Sequence, residues 1–390
     1  MNIDNMEILI CKSDTFGGAN YLLDRLYNWL LKNNYHVEQC IFNKGIIPPP
    51  KTYNLAILPS YIDDDIYALS RKGIKVERIL LWIMGMGCFQ DGYYNPAHIT
   101  GIKGIITKII AKEAEAALID ITEHRSICFT DVVGRYNTYK DLKFADEKYD
   151  SDYLIPIGIS TQEYKNRVKE DEIFSACWVG RVSHDFKYIP LRHALLDFNE
   201  YCKAHSLNAC FTVVGDGDAV DDIKRLTKEM VYESRFIPFV GYDDLDAFFA
   251  TQDIAFVMGT SALDAARNSC PAVVVTPVRE GIDEENVCYR WIFDSKGYSL
   301  GEYPGWDKKT NQDRRSLDVI LAELDKDKFI SRKCWEYTKQ FDEERAFKKI
   351  LECKPLPMDK KVWRHIKTVS YTHLRAHETG QYLVCRLLLE

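Results

Sequence analysis

Residues 176–190 read ACWVGRVSHDFKYIP. The apolar run Ala176–Val179 has the length and character of a buried strand, and it stops at Gly180. Two cations, Arg181 and Lys187, then stand in a short polar turn before a helical pattern resumes. A strand that passes through a glycine turn into a helix is the repeating unit of an open, mainly parallel sheet. Ligands of such sheets bind outside the carboxyl ends of the strands, which makes this turn a place to look for chemistry.

The same alternation runs outward in both directions. In the first half, MEILIC from Met6, HVEQCIF, YNLAILPSY, ERILLWIM and SICFT read as strands. The turn TFGGAN follows the first of them, and the helix after it sets Leu22, Leu26 and Leu30 on one face. The polar stretch STQEYKNRVKEDE lacks apolar periodicity and reads as a linker. Beyond it IFSACWV, ACFTVVG, RFIPFVG, DIAFVM and PAVVVTPV are strand-like, with helical segments between them. The expectation is an α/β chain of two doubly wound, Rossmann-like domains. Residues 1–160 form the first, 161–172 the linker, 173–330 the second and 331–352 a closing helix, followed by a truncated segment at 353–368.

Length and composition agree with this. A chain of 390 residues suits two domains, and 46% hydrophobic with 28% charged residues marks an ordinary globular protein. A net charge of -7 and the lack of an arginine-rich stripe argue against a nucleic-acid binder. The twelve cysteines are scattered without a CxxC pair, so they read as reduced core residues and not as a metal site. With neither a signal-like N-terminus nor a long apolar run, the expected location is cytoplasmic.

Three strand-end turns of the second half carry candidate chemistry. At Gly180, Arg181 and Lys187 a guanidinium fork and an ammonium suit a diphosphate, with a solvated turn as the plain alternative. In VVGDGDAVDDIKRL, Gly215, Asp216 and Gly217 permit positive φ and close backbone approach, or form an ordinary turn with Asp218 capping a helix. In FVMGTSALDAARNSCPAVVV, Gly259, Thr260 and Ser261 open a helix whose amides favour an anion, and Asp264 one turn in suits ribose hydroxyls. The plain reading there makes Thr260 an N-cap.

Taken in order, VGRVSHDFK, VVGDGDAVDDIKRL and FVGYDDLDAFFATQDIAFVMGTSALDAARNSCPAVVV resemble retaining glycosyltransferases of the GT-B fold, family four. The resemblance spans residues 6 to about 352 and is strongest in the second half. It implies two Rossmann-like domains facing across a cleft, with Arg181 and Lys187 on the donor diphosphate, Gly215 to Gly217 lining the nucleotide site and Asp264 on ribose. Gly17 and Gly18 match the family's cleft glycine loop, IPIGIS its hinge with Ile157 in place of Asn, and RKCWEYTKQFDEERAFKKILE its last helix, which crosses back to the first domain. The implied activity is transfer of a sugar from a nucleotide sugar to a glycan or lipid-linked acceptor, with retention, no metal or other cofactor, and a role in cell-surface polysaccharide synthesis.

The match has departures. The family's paired acids fall at Phe256 and Asp264, so the first is missing, and His98 is a weak counterpart of its acceptor-side histidine. A nucleotide-sugar 2-epimerase and a non-catalytic GT-B partner subunit stay open as alternatives. A dehydrogenase fits least, because GGAN is not GxGxxG. In GIKGIITKIIAKEAEAAL, Ile102, Ile105, Ile106, Ile109 and Ile110 with Lys103, Lys108 and Lys112 suit either the inner face of an anionic membrane or the domain's own sheet. Finally, Val369 to Glu378 and Leu383 to Glu390 resemble translated sequencing-adapter DNA in one frame, so residues 369–390 are expected to be non-native and the natural C-terminus lost.

Overall fold

The computed structural model describes residues 6–12, 18–41, 44–59, 69, 72–84, 116, 118–139, 153–165, 172–278, 287–301 and 315–357. The chain divides into two compact units, Met1–Ile157 with Glu344–Glu390, and Gly158–Glu343.

In the first unit, strands β1 (Glu7–Lys12), β2 (His36–Ile41), β3 (Thr52–Pro59), β4 (Lys75–Ile83) and β5 (Ile127–Phe129) form one sheet in the order β2-β1-β3-β4-β5. Every pairing is parallel. Helix α1 (Gly18–Lys32) buries Leu22, Leu26 and Leu30 on the sheet, as its i, i+4 spacing requires, and α2 (Val132–Tyr139) follows β5. Order reverses between β1 and β3, which puts the end of β1 at the switch point of this unit. Gly18, exposed, starts α1 there, while Gly17, His98 and the isoleucine-lysine segment lie outside the described residues, as does the tail from residue 369.

The second unit contains β6 (Phe174–Val179), α3 (Tyr188–His205), β7 (Ala209–Val214), α4 (Val220–Thr227), β8 (Glu233–Ile237) and α5 (Tyr242–Ala250). There follow β9 (Ile254–Val257), α6 (Thr260–Arg267), β10 (Ala272–Val275), β11 (Tyr289–Trp291), α7 (Leu317–Lys326) and α8 (Ile330–Thr338). The sheet order is β11-β10-β9-β6-β7-β8, parallel except for β11 against β10. Counted from β6 this is the 3-2-1-4-5-6 order of dinucleotide-binding sheets, with its switch point between β6 and β9.

Two expectations about segment limits are corrected. The closing segment is not one helix. α8 ends at Thr338, a tight turn spans Lys339–Phe341, and α9 (Glu343–Glu352) begins after Asp342 turns extended at ψ 126°. Cys334 and Ser331 of α8 bond the backbone of Ala272 and Ser269, whereas Ala346, Phe347, Ile350 and Leu351 of α9 complete the core around Ile8, Ile10 and Leu26. Nor is the start of 161–172 a free linker. Gln162 donates to Asp246 at 2.6 Å, Trp335 to the Gln162 carbonyl at 2.8 Å, and the Lys165 amide to Ser269 at 3.0 Å. The described part of this stretch belongs to the second unit.

Among the described residues none of the ten cysteines is in a disulfide, nine of them are buried, and no group of His, Cys, Asp and Glu is placed to hold a metal ion. None of the described helices is long and apolar enough to cross a membrane.

Candidate functional site

The switch point of the second unit gathers the sequence-predicted residues. β6 and β9 pair directly, with Trp178 opposite Phe256, so the turns that begin at Gly180 and Gly259 emerge side by side. β7 flanks β6 and brings the third turn, Gly215 to Gly217, to the same end of the sheet.

The first and third turns are laced together. The Gly180 amide donates to the Val214 carbonyl at 3.0 Å, Val182 to Asp216 at 3.0 Å and Ala219 to Val182 at 3.0 Å. Gly215 and Gly217 have φ of 151° and 152°, and a β-carbon on Gly217 would meet the Val182 carbonyl oxygen at 2.2 Å. The close approach read from these glycines is therefore to the neighbouring turn of the chain itself. Asp216 accepts the Gly217 amide at 2.8 Å. Asp218 does not cap α4, whose N-cap is Ala219 without a side-chain bond; it accepts the His184 amide at 2.9 Å instead. His184 in turn meets Asp222 at 2.9 Å, tying the β6–α3 turn to α4.

Asp185 organises the two cations. One carboxylate oxygen lies 3.1 Å from the Arg181 guanidinium and the other accepts the Lys187 amide at 2.8 Å. The Arg181 side chain remains 65% exposed, able to turn toward a ligand. The Lys187 ammonium is half-buried and has no carboxylate partner among the described residues. Burial, reinforced by the nearby Arg181 charge and only partly offset by Asp185, holds it below the usual lysine range. A desolvated cation beside a second cation is an unfavourable arrangement that a bound anion relieves.

At β9 the geometry differs from the plain reading. Gly259, not Thr260, is the N-cap of α6, at φ 67°, and the space where its β-carbon would lie is open. Thr260 and Ser261 are the first helical residues, so their amides have no intrahelical acceptor and point out of the helix mouth. The Ser261 hydroxyl donates to the Met258 carbonyl at 3.0 Å.

Asp264 is engaged and does not stand open at the mouth. Its carboxylate takes the Arg267 Nε at 3.1 Å, and Arg267 reaches on to Asp246 at 2.6 Å and Ser160 at 3.1 Å. Phe256 is wholly buried, stacked on Phe211 with a centroid separation of 5.7 Å and edge-on to Phe198 and Tyr289. A carboxylate at that position would lie within the aromatic core, which is why an acid is not tolerated there.

Sequence reasoning missed Asp185, Ser183 and Trp178. Asp185 was legible as an acid between two cations at short spacing. Trp178 and Ser183 were not, because what marks them is the absence of a partner: the Trp178 indole nitrogen and the Ser183 hydroxyl are buried with no hydrogen bond among the described residues.

No protein-family model matches the chain. No curated protein matches it in sequence either. Solved structures do resemble it. S. aureus TarM in complex with fondaparinux, alpha-GlcNAc-glycerol and UDP is 11% identical at a TM-score of 0.44, covering 76% of this chain and 55% of its own. The pneumococcal O-GlcNAc transferase GtfA with UDP and GlcNAc is 11% identical at 0.41, covering 76% and 56%. An alpha-glucosyltransferase with UDP and a 13-mer DNA containing a HMU base is 10% identical at 0.49, covering 90% and 99%. The chain thus spans about half the length of the first two. Similarities of this size establish neither a shared family nor a shared activity.

Proposed function

We propose that the chain is a GT-B glycosyltransferase that takes a sugar from a nucleotide-sugar donor and passes it, with retention, to a glycan or lipid-linked acceptor. The observation that carries this is the half-buried Lys187 ammonium without a carboxylate partner among the described residues, set beside Arg181 at the switch point of a 3-2-1-4-5-6 sheet. In chemistry and in position these groups suit a diphosphate, which supports the reading.

In this reading the diphosphate lies over Gly180, bonded by Lys187 and Arg181, with the Thr260 and Ser261 amides as further donors. As the bond to the anomeric carbon breaks, negative charge grows on the leaving oxygens. Lys187, already poorly solvated, gains more from that charge than a lysine in water would, so the interaction strengthens toward the transition state. The acceptor hydroxyl attacks from the face the diphosphate leaves, forming the new bond to the anomeric carbon as the old one breaks and giving its proton to the departing diphosphate oxygen. No metal is required, since two cations neutralise the leaving group. Gly17 and Gly18 are donor-binding residues, as the resemblance implies, and the site of action is the cytoplasm, at the inner membrane face for a lipid-linked acceptor. A part in cell-surface polysaccharide synthesis follows from such an acceptor.

A second reading is favoured by Phe256 and by the Asp264–Arg267 pair, which leave the acid positions of the resemblance buried or occupied. It makes the chain a nucleotide-sugar-binding partner subunit without turnover. A panel of nucleotide sugars screened by thermal shift, followed by product analysis with the stabilising donor, separates these two and the 2-epimerase. Stabilisation with a transferred product that keeps the donor's anomeric configuration supports the transferase, stabilisation without turnover the subunit, and a freed epimeric sugar the epimerase. A panel in which no nucleotide or nucleotide sugar raises the melting temperature overturns all three.

A further inference from the structure

One polar atom beside this seat has no role in the reading above. Trp178 is fully buried on β6, and its indole N–H has no acceptor among the described residues. Buried donors nearly always have one. The indoles of Trp82, Trp291 and Trp335 follow that rule, donating to the Ile155 carbonyl at 3.2 Å, Glu323 at 2.7 Å and the Gln162 carbonyl at 2.8 Å.

The exception sits at a particular place. A β-carbon on Gly180 would stand 3.4 Å from the Trp178 Nε1 and 3.3 Å from the Lys187 Nζ. Gly180 is not among the positive-φ residues, so backbone conformation does not demand glycine there. What the missing side chain leaves is a face of Gly180 on which two N–H donors converge, one neutral and one cationic, without an acceptor for the indole. The neighbouring Ser183 hydroxyl is also buried and has no partner among the described residues.

We propose that Trp178 is a further donor of the anion site: one diphosphate oxygen, drawn over Gly180 by the Lys187 ammonium, also receives the Trp178 indole N–H. This rests on the diphosphate reading of Arg181 and Lys187 and deepens it by one residue inside the sheet. The rigid indole, packed in the core, then fixes the oxygen that the flexible lysine attracts. No covalent step is involved; Trp178 acts as a direct hydrogen-bond donor to the bound anion.

Proton–nitrogen correlation spectra of the ¹⁵N-tryptophan-labelled full chain test this, with inorganic pyrophosphate and then UDP as probes. The Trp178 indole signal is identified by its loss in Trp178→Phe or Trp178→Tyr. It is expected to move downfield on saturation and to exchange more slowly with solvent, while the Trp82 signal stays in place. Pyrophosphate affinity should fall about 3- to 10-fold in Trp178→Phe, the worth of one hydrogen bond. Gly180→Ala, which keeps an allowed backbone and fills the seat, should lose about 10-fold or more with little change in melting temperature. An unmoved Trp178 signal at saturating pyrophosphate overturns the inference. The two layers fail separately. Arg181→Ala and Lys187→Ala that bind pyrophosphate normally would end the diphosphate reading itself. Loss of binding in those variants, with a Trp178 signal that never responds, would end only the role of Trp178.

Discussion

A β-carbon on Gly215 would stand 1.9 Å from the carbonyl oxygen of Gly180, so the two turns at the heart of the candidate site touch backbone to backbone. Gly215→Ala therefore meets both a disfavoured φ of 151° and a clash with immobile main chain, and should destabilise the fold by about 3 kcal/mol or more. Gly259→Ala, at φ 67° and ψ -139° in open space, meets only the conformational cost and should lose about 1–3 kcal/mol. Urea titrations of both variants check the order; equal losses would mean that backbone conformation, not the contact, sets the requirement.

Arg181→Ala and Lys187→Ala should each lower kcat/KM for the donor by about 2–4 kcal/mol of transition-state stabilisation. Stability should barely change, because neither cation packs in the core. Arg181→Lys should recover part of the loss, since an ammonium cannot reproduce the planar fork. Turnover and melting curves on the same samples decide: a matched fall in both would make the residues structural.

Donor affinity should weaken on the alkaline side before an ordinary lysine titrates. Burial and Arg181 lower the Lys187 pKa, with Asp185 opposing them, so the ammonium that holds the anion is lost at a pH below the usual lysine value of 10.5. The sign for stability is opposite. Between the folded and unfolded pKa the unfolded chain binds more protons at this position, so its contribution to stability rises with pH and the desolvation penalty fades. UDP titrations from neutral pH upward, compared with Lys187→Arg, check the first effect. An identical decline in the arginine variant would assign the pH dependence to another group.

Phe347→Ala should unfold the first unit selectively. The side chain is fully buried in the core built on β1 and α1, although it lies in the last helix, and a cavity of that size costs about 3–5 kcal/mol. Hydrogen exchange should show lost protection in β1 and β3 and retained protection in β6 and β7. Uniform loss across both units would show that they unfold together.

Deletion of residues 369–390 should leave the denaturation midpoint and its slope unchanged, because their sequence resembles adapter DNA rather than a continuation of the alternating pattern. A midpoint shifted down by the equivalent of several kcal/mol would show that the tail is part of the fold.

What the sequence determined by itself was local. Which segments form strands and helices, which face of α1 is buried, and where glycine turns follow strands are written in short-range periodicity, because side-chain direction repeats every two residues in a strand and every 3.6 in a helix. Arg181 and Lys187 could therefore be singled out, as could the order of the three turns. Adjacency, by contrast, came only with the folded chain. Strand order depends on pairings between residues up to 78 positions apart, such as Trp178 with Phe256, and it is this order that sets Gly180 beside Gly259 at a switch point. The same holds for Asp264, a free carboxylate in sequence but bonded to Arg267 in the fold, and for α9, continuous with α8 in periodicity but packed in the other unit. Trp178 is the clearest case. Its apolar neighbours along the chain mark it as core, and only packing in three dimensions leaves its N–H beside Lys187 without an acceptor among the described residues, because whether a buried donor finds an acceptor is settled by non-local contacts.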